Sequence, residues 1–146
     1  MVLQFRIHLE HPGLAGGYWF VMQTFDDNVL AKAAEQREVA FTTFGRRSGN
    51  AHRKILWLAS DGRRLFIRSG QGLVRDWPQN LLAGGTGILH LDGHDVPVRG
   101  RLVEDPAMAR QVSVDYRSKY GDFIKPSADD EPLTPGEQST FELIPA

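Results

Sequence analysis

Two Asp-Gly pairs, each between two runs of strand-forming residues, constrain the fold of this chain more than any other feature. Asp61-Gly62 lies between residues 52–60 and 63–69, and Asp92-Gly93 lies between 87–91 and 95–103. Asp-Gly suits the tight turn of a β-hairpin because its two central residues adopt positive φ angles. The sequence therefore predicts two antiparallel hairpins, with Pro97 at a sheet edge or a bulge because proline cannot donate a ladder hydrogen bond.

Further elements follow from hydrophobic patterning and capping signals. Residues 39–44 and 139–145 have the β-branched and aromatic character of strands, which raises the predicted count to six. Helices are predicted over 26–37, over 76–83, and from Asp105-Pro106 to Gly121. Residues 122–138 are predicted to form a long surface loop. The expected fold class is α+β, a six-stranded antiparallel barrel with two or three flanking helices.

The length of the chain and its charge limit the classes of function. At 146 residues, it fits one domain, which we place at 26–146 after an N-terminal extension of residues 1–25. Tyr18, Trp19 and Phe20 of this extension are expected to pack on the barrel or on a partner. A net charge of -1 argues against a nucleic-acid-binding protein. The longest apolar stretch, 14–22, is too short to span a bilayer, so a soluble, cytoplasmic protein is expected.

A basic turn is the first candidate binding site. Four permanent cations and one histidine lie within the ten residues 45–54, which also include two glycines. Backbone N–H groups of a glycine-rich turn can converge on an anion, and arginine presents forked donors that suit phosphate or carboxylate. A solvated hairpin tip is the alternative interpretation. The candidate ligands of an anion are Arg46, Arg47, Ser48, His52, Arg53 and Lys54.

A second candidate segment begins where the strand 63–69 ends. The small residues Ser69 and Gly70, followed by Gln71, would let a planar ring approach the backbone closely. Trp77 could wall off such a ring or could be a core aromatic residue. Asn80 could hydrogen-bond a cofactor, or it could bridge the neighbouring loop. No cysteine is present, which excludes disulfides and thiol chemistry.

Together these motifs resemble the deazaflavin-dependent nitroreductase-like proteins, which are related to FMN-binding barrels. The resemblance covers residues 38–120. It is carried by the ordered series Thr42-Thr43-x-Gly45-Arg46-x-Ser48-Gly49-x-x-His52, Leu56-Trp57, Asp61-Gly62, Leu65, Ser69-Gly70-x-Gly72 and Asp76-Trp77-x-x-Asn80-Leu81. It implies a split β-barrel whose cleft holds a tricyclic flavin or deazaflavin.

The resemblance also assigns roles to residues. The turn around Arg47 and Ser48, with His52, would hold the phosphate or acidic tail of the cofactor. The ring would lie against Lys54, Ile55, Ser69, Gly70 and Gln71, and Trp77 would cover its outer edge. Some relatives carry a Lys or Arg in place of Gln71 and His52, and others a Pro in place of Ile55. These differences leave deazaflavin, FMN and another planar ligand open.

The functional prediction is an oxidoreductase that transfers a hydride from a reduced deazaflavin of the 8-hydroxy-5-deazaflavin type. Its small-molecule acceptor would be an activated double bond, a quinone or a nitro compound. The alternatives are an FMN-dependent reductase or oxidase of a small aromatic substrate, and a non-catalytic barrel that binds a cofactor or tetrapyrrole. Tyr120 is a candidate proton donor, although its helical spacing is also typical of a core residue. We expect a homodimer and no metal, with His90 and His94 as surface histidines.

Overall fold

Groups of consecutive strands are separated by helices along the chain. The computed structural model describes the backbone of residues 4–9 and 18–146, and the side chains from residue 24 onward. The strands are β1 (Gln4–Leu9), β2 (Tyr18–Gln23), β3 (Val39–Phe44), β4 (Ala51–Leu56), β5 (Leu58–Ser60), β6 (Leu65–Arg68), β7 (Thr86–Leu91), β8 (His94–Leu102) and β9 (Thr140–Pro145). The α-helices are α1 (Asp27–Glu35), α2 (Asp76–Gly84), α3 (Pro106–Tyr120) and α4 (Pro135–Gln138), and a single 3-10 turn covers Gly72–Val74.

The N-terminal extension contains two strands that the sequence did not predict. β1 and β2 pair antiparallel and form a separate two-stranded sheet. The expected packing of Tyr18, Trp19 and Phe20 lies outside the side chains that the structure describes. Within the described residues, no helix is both long enough and apolar enough to cross a membrane.

The other seven strands form one curled antiparallel sheet, so the predicted antiparallel α+β architecture is confirmed. The strand order is β4-β3-β7-β8-β9-β6-β5. The predicted count of six is wrong by one, because the run 52–60 is divided at Trp57 into β4 and β5. These two strands lie at opposite ends of the strand order although one residue separates them along the chain. The sheet must therefore curl until its two edges approach each other.

Helix α3 holds the chain at this division. The hydroxyl of Tyr116 donates to the carbonyl oxygen of Trp57 at 2.9 Å. The hydroxyl of Tyr120 accepts from the backbone N–H of Leu58 at 3.0 Å, and its ring stacks on Trp57 with a centroid distance of 4.3 Å. The sequence spacing of four between Met108, Val112, Tyr116 and Tyr120 predicts an apolar stripe on this helix, and the last three of these are buried while Met108 is partly buried.

Local signals account for the ends of the elements. Asp105 caps α3 by accepting from the backbone N–H of Ala107 at 3.0 Å, and Pro106 occupies the first turn. At the second predicted hairpin, Asp92 and Gly93 both have positive φ and join β7 to β8. Both Asp-Gly hairpins are confirmed, because β5 also pairs with β6. The predicted loop 122–138 contains α4, which Thr134 caps.

The barrel interior is closely packed at Gly87, whereas Gly84 in α2 faces open space. A Cβ atom at Gly87 in β7 would lie 2.5 Å from Cζ of Phe41 and 2.8 Å from the carbonyl oxygen of Thr42. Heavy atoms do not approach so closely, so the neighbouring strand would have to move. At Gly84, in the last turn of α2, a Cβ atom would meet nothing within 4 Å.

We predict that Gly87→Ala lowers the free energy of unfolding by about 1–3 kcal/mol, because the added methyl group overpacks the core. Gly84→Ala is the matched control, and it should leave stability unchanged or raise it by up to about 1 kcal/mol, since alanine favours the helix. Chemical denaturation of the two variants measures both effects. Equal stability of Gly87→Ala and the unmodified protein would contradict the packing described here.

Candidate functional site

A cleft of about 700 Å³ opens between the end of β4 and the end of β6, beside the start of α2. Its volume is within the roughly 300–1,000 Å³ that small-molecule sites occupy. Its walls include three aromatic residues and three cations. The lining residues are Lys54, Ile55, Leu56, Trp57, Arg68, Ser69, Gly70, Gln71, Arg75, Asp76, Trp77, Tyr116 and Ile124.

A smaller hollow of about 270 Å³ adjoins the cleft and is hereafter called the side bay. The two share Lys54, Asp76 and Trp77, so a single elongated ligand could extend from one into the other. The side bay is lined by Gly45, Arg46, Arg47, Ser48, His52, Lys54, Asp76, Trp77 and Asn80. The structure thus brings together, around two adjoining hollows, all the predicted cofactor-binding residues except Arg53.

The basic turn between β3 and β4 is a compact backbone structure. The N–H of Gly45 donates to the carbonyl oxygen of Asn50 at 2.8 Å, and the N–H of Gly49 donates to that of Gly45 at 2.8 Å. Gly49 has a φ of 74°, which glycine adopts without strain. A Cβ atom at Gly45 would lie 2.6 Å from Oγ of Ser48 and 3.3 Å from Nε2 of His52. Glycine at position 45 therefore lets these polar side chains converge.

Asn80 joins this turn to α2. Its Oδ1 atom accepts from the backbone N–H of Arg46 at 3.1 Å and from Nη1 of the same residue at 2.9 Å. Nη2 of Arg46 lies 3.7 Å from the carboxylate of Asp76, which is largely exposed. Asn80 is buried and has the bridging role weighed from the sequence. Arg46 is thereby engaged within the protein and holds the turn against the helix.

The remaining cations of the side bay are available to a ligand. Among the residues that the structure describes, none forms a hydrogen bond or ion pair with the side chains of Arg47, His52 or Lys54. All three side chains are exposed. Although Asp76 also lines the side bay, Arg47 and Lys54 give it an excess of positive charge next to the cleft, which favours an anionic group.

Two predicted site residues lie elsewhere. Arg53 pairs with Thr42 in the sheet register, whereas Lys54 pairs with Phe41 of the core, so the two side chains alternate between opposite faces. Arg53 lines neither hollow. Tyr120 lines neither hollow, and its hydroxyl bonds the backbone of Arg37 at 2.7 Å and of Leu58. This geometry gives the proton-donor role of Tyr120 no support and matches the alternative of a core residue.

Trp77 is both a core residue and a wall of the site. It is 7% exposed, and its ring contacts Phe41 and Phe141 at centroid distances of 6.1 and 5.9 Å. One side of the residue borders both the cleft and the side bay. Because the ring is fixed by these contacts, it forms a rigid boundary where the two hollows meet.

The floor of the cleft contains a charged group that the sequence analysis missed. Arg68, the last residue of β6, donates to Oγ of Ser113 at 2.7 Å and to the carbonyl oxygen of Ala109 at 3.1 Å. Its guanidinium carbon lies 4.7 Å from the ring centre of Tyr116. Burial lowers the pKa of Arg68, while the phenol of Tyr116 and the carboxylate of Glu137 oppose that change. An arginine that ends a buried strand just before Ser69-Gly70 is the sequence signal that could have identified it.

Ser113 connects Arg68 to a buried carboxylate. Its hydroxyl donates to Oε2 of Glu137 at 2.9 Å, and Glu137 has no exposed surface. The backbone N–H groups of Ser127 and Thr134 donate to the same carboxylate at 3.1 and 2.9 Å. Burial alone would raise the pKa of Glu137, but these hydrogen bonds lower it to about 2. The carboxylate therefore stays ionised and balances the charge of Arg68 through one hydroxyl group.

His90, considered from the sequence as a metal ligand together with His94, is engaged in hydrogen bonds. Its Nε2 atom lies 2.7 Å from Oγ1 of Thr42, and its Nδ1 atom lies 2.7 Å from Oδ1 of Asp95. Within the described part of the chain, no group of three or more metal-ligating side chains lies close together. His94, on the other side of the turn, is exposed.

Comparisons with known proteins agree with the fold described above. The model of a family described as an uncharacterized protein conserved in bacteria (DUF2255) matches residues 29–143. A candidate pyridoxamine 5′-phosphate oxidase from Listeria innocua has a similar structure, with 13% identity, a TM-score of 0.59, and 82% of this chain and 91% of that chain covered. No curated protein sequence matches the chain.

Two further solved structures are similar in fold. The haem-storage protein HutZ from Vibrio cholerae has 12% identity and a TM-score of 0.59, with 83% of this chain and 89% of that chain covered. An F420-H2-dependent reductase, FDR-A, has 17% identity and a TM-score of 0.50, with 74% of this chain and 94% of that chain covered. These neighbours confirm the resemblance to the deazaflavin-dependent nitroreductase-like proteins at the level of the fold.

We predict that Glu137→Gln lowers the free energy of unfolding at pH 7 by about 1–3 kcal/mol, because an amide nitrogen would face groups that donate hydrogen bonds. The folded-state pKa of Glu137, about 2, lies below its ordinary value of 4.5. The stabilisation from ionisation is therefore complete above pH 4.5 and is lost as the pH falls towards 2. Denaturation at pH 7 and pH 3 should show a smaller deficit at pH 3.

The control for this experiment is Asp130→Asn, which removes an exposed carboxylate from the same segment. It should change stability little at either pH. A deficit of Glu137→Gln that stays constant between pH 7 and pH 3 would show that the ionised carboxylate does not hold this segment.

Proposed function

The chain belongs to the DUF2255 family of uncharacterised bacterial proteins, and we propose that it is an oxidoreductase that uses a flavin-type cofactor. The preferred cofactor is a reduced deazaflavin of the 8-hydroxy-5-deazaflavin type, and the acceptor is an activated double bond, a quinone or a nitro compound. The observation that carries the proposal is that the cleft, which Trp77 walls, adjoins the side bay, where Arg47 and Lys54 have no side-chain partner among the described residues.

The chemistry of the residues present fits such a cofactor. A planar heterocycle with an anionic tail needs an apolar slot, backbone that it can approach closely, and a cationic pocket beyond one end. The cleft supplies Trp77 as a rigid wall and the segment Ser69–Gln71, in which a Cβ atom at Gly70 would meet nothing within 4 Å. The side bay supplies Arg47 and His52. Gly45 lines it too, and its lack of a side chain leaves room for Ser48 and His52.

The cofactor would supply the hydride, and the protein residues would supply position and electrostatics. Trp77 and the backbone of Ser69–Gln71 would hold the ring. Arg47 and His52 would bind the tail by charge-assisted hydrogen bonds. Arg46 and Asn80, which bond each other, would keep the turn in the conformation that binds it.

The structural neighbours support the cofactor class without deciding its member. F420-H2 is a reduced deazaflavin, and one neighbour is a reductase that depends on it. Another is a candidate pyridoxamine 5′-phosphate oxidase, and FMN is therefore the alternative cofactor, with a small aromatic substrate. The haem-storage neighbour supports a third candidate, a non-catalytic barrel that binds a cofactor or tetrapyrrole.

We also propose that the protein pairs as a homodimer. β4 is an edge strand of the seven-stranded sheet; Ile55, within it, is 62% exposed, and Trp57, just after it, is 40% exposed. A partner that covers this edge would remove apolar surface from water and enclose the cleft. Sedimentation of the purified protein should give twice the mass of 16.3 kDa. A monomeric mass at micromolar concentration would contradict the proposal.

The central test is a side-by-side titration with deazaflavin, FMN and haem, followed by tryptophan fluorescence. Trp57 and Trp77 line the cleft, so binding there should quench their emission. We expect saturable quenching by micromolar deazaflavin and much weaker quenching by FMN. Preferred FMN binding would support the alternative cofactor, and haem binding alone would support storage. Turnover with quinones, enones and nitroarenes then separates an enzyme from a binding protein.

Substitutions test the assignment of the cofactor tail. The double variant Arg47→Ala/His52→Ala should weaken cofactor binding by about ten- to a hundredfold, because it removes one cationic partner and one further hydrogen-bonding partner of the tail. Its thermal midpoint should change little, since both side chains are exposed and unpaired within the described structure. Arg53→Ala is the matched control, because Arg53 carries the same charge and faces away from the cleft. Equal losses in the two variants would contradict the assignment.

A further inference from the structure

The cation that lines the floor of the cleft differs from those of the side bay. Arg68 lines the cleft but not the side bay, so it is separate from the proposed tail-binding residues. Lys54, in contrast, is exposed and borders both hollows. Positively charged side chains therefore lie both at the basic turn and at the floor of the cleft. The proposed binding of the cofactor tail involves only those at the turn.

Arg68 is held in one position by contacts on several sides. Its Nη1 and Nη2 atoms donate to Ser113 and to the carbonyl oxygen of Ala109, and its guanidinium lies over the ring of Tyr116. Gly136 contributes by its size, since a Cβ atom there would lie 3.3 Å from Cδ of Arg68. A guanidinium restrained in this way is pre-organised to bind a ligand, because little conformational entropy remains to be lost.

The hydrogen-bonding capacity of Arg68 is not exhausted by these contacts. Its Nε–H group is buried and has no partner among the described residues. The carboxylate of Glu137 is connected to Arg68 through the hydroxyl of Ser113 rather than by direct contact. Nη1 and Nη2 each make one of these hydrogen bonds and each carry a second N–H group, so Arg68, which is partly exposed and lines the cleft, keeps donors for a ligand.

The walls beside Arg68 indicate the shape of that ligand. Trp57, Tyr116 and Ile124 border the same cleft and present flat or apolar surface. Nearby, Arg75 adds a second positive charge at the exposed part of the cleft. Flat apolar walls combined with a buried guanidinium match a conjugated ring system that carries a carboxylate, since arginine pairs with carboxylates through two parallel hydrogen bonds.

We propose that Arg68 forms an anion-binding subsite at the floor of the cleft, and that the small molecule it selects is a flat, conjugated carboxylate. Ser113 and Glu137 act as positioning residues that keep the guanidinium in place. The inference goes beyond the proposed function and does not rest on it, because binding of the carboxylate requires no cofactor. It narrows the substrate class if the oxidoreductase assignment holds, and it stands by itself if that assignment fails.

The test compares benzoate with benzamide, two flat molecules of similar size that differ in charge. Each is titrated into the purified full-length protein without added cofactor, and the emission of Trp57 and Trp77 is followed. We expect saturable quenching by benzoate at a concentration about ten- to a hundredfold lower than by benzamide. Equal affinity for the two probes, or no binding of benzoate, would overturn the proposal.

Variants then assign the preference to one residue. Arg68→Met should abolish the preference for benzoate, and Arg68→Lys should reduce it without abolishing it, because lysine keeps the charge but loses the fork. Arg63→Met, which removes an exposed arginine remote from this cleft, is the control and should leave the preference unchanged. A preference that survives Arg68→Met, or that Arg75→Met abolishes while Arg68→Met does not, would overturn the proposal.

Thermal unfolding of each variant shows whether the fold is retained. If Arg68→Met does not unfold cooperatively, the unmodified protein and Arg68→Lys decide the outcome. An undiminished preference in Arg68→Lys would then count against a role for the guanidinium. The deazaflavin titration is independent of this experiment, so failure of the anion subsite and failure of the proposed function can be told apart.

Discussion

The division of one strand at Trp57 is the constraint on which the rest of the structure depends. β4 and β5 are separated by that single residue, yet they lie at opposite ends of the seven-stranded sheet. The chain can satisfy both pairings only if the sheet curls. The hydroxyls of Tyr116 and Tyr120, which bond the backbone of Trp57 and Leu58, hold the turn from α3. Curling brings the end of β4 towards the end of β6, and the cleft lies between them.

The positive charges around the cleft are held in different ways, and this difference separates their roles. Arg46 is bonded to Asn80 and keeps the basic turn against α2. Arg47 and His52 are exposed and have no partner in the described structure, which suits them to a ligand that comes from solvent. Arg68 is held by Ser113 and Tyr116 in the floor of the cleft. The cations around the cleft thus differ in role: Arg46 supports the turn, Arg47 is open to solvent, and Arg68 is fixed at the floor of the cleft.

Most of the fold could be predicted because its signals are local. The Asp-Gly turns, the Asp105-Pro106 cap and the apolar stripe of α3 each act within a few residues, so the sequence identifies them directly. The split of 52–60 could not be predicted in this way, because no glycine or proline interrupts the run. Arg68 was missed for a similar reason, since its partners Ser113 and Glu137 are about 45 and 69 positions away in the chain. Those partners lie on α3 and on α4, a helix within the predicted loop 122–138.

The sequence by itself determined the antiparallel α+β architecture, the basic turn and the glycine-rich segment after β6, because turn chemistry and hydrophobic period depend on neighbouring residues. Tertiary structure alone decided which of those residues line the cleft and the side bay. It left Arg53 outside both hollows, and it tied Tyr120 to the backbone of Arg37 and Leu58. It also placed Arg68 in the floor of the cleft. The physical reason is that burial and side-chain direction follow from long-range strand pairing and helix packing, which no local pattern encodes.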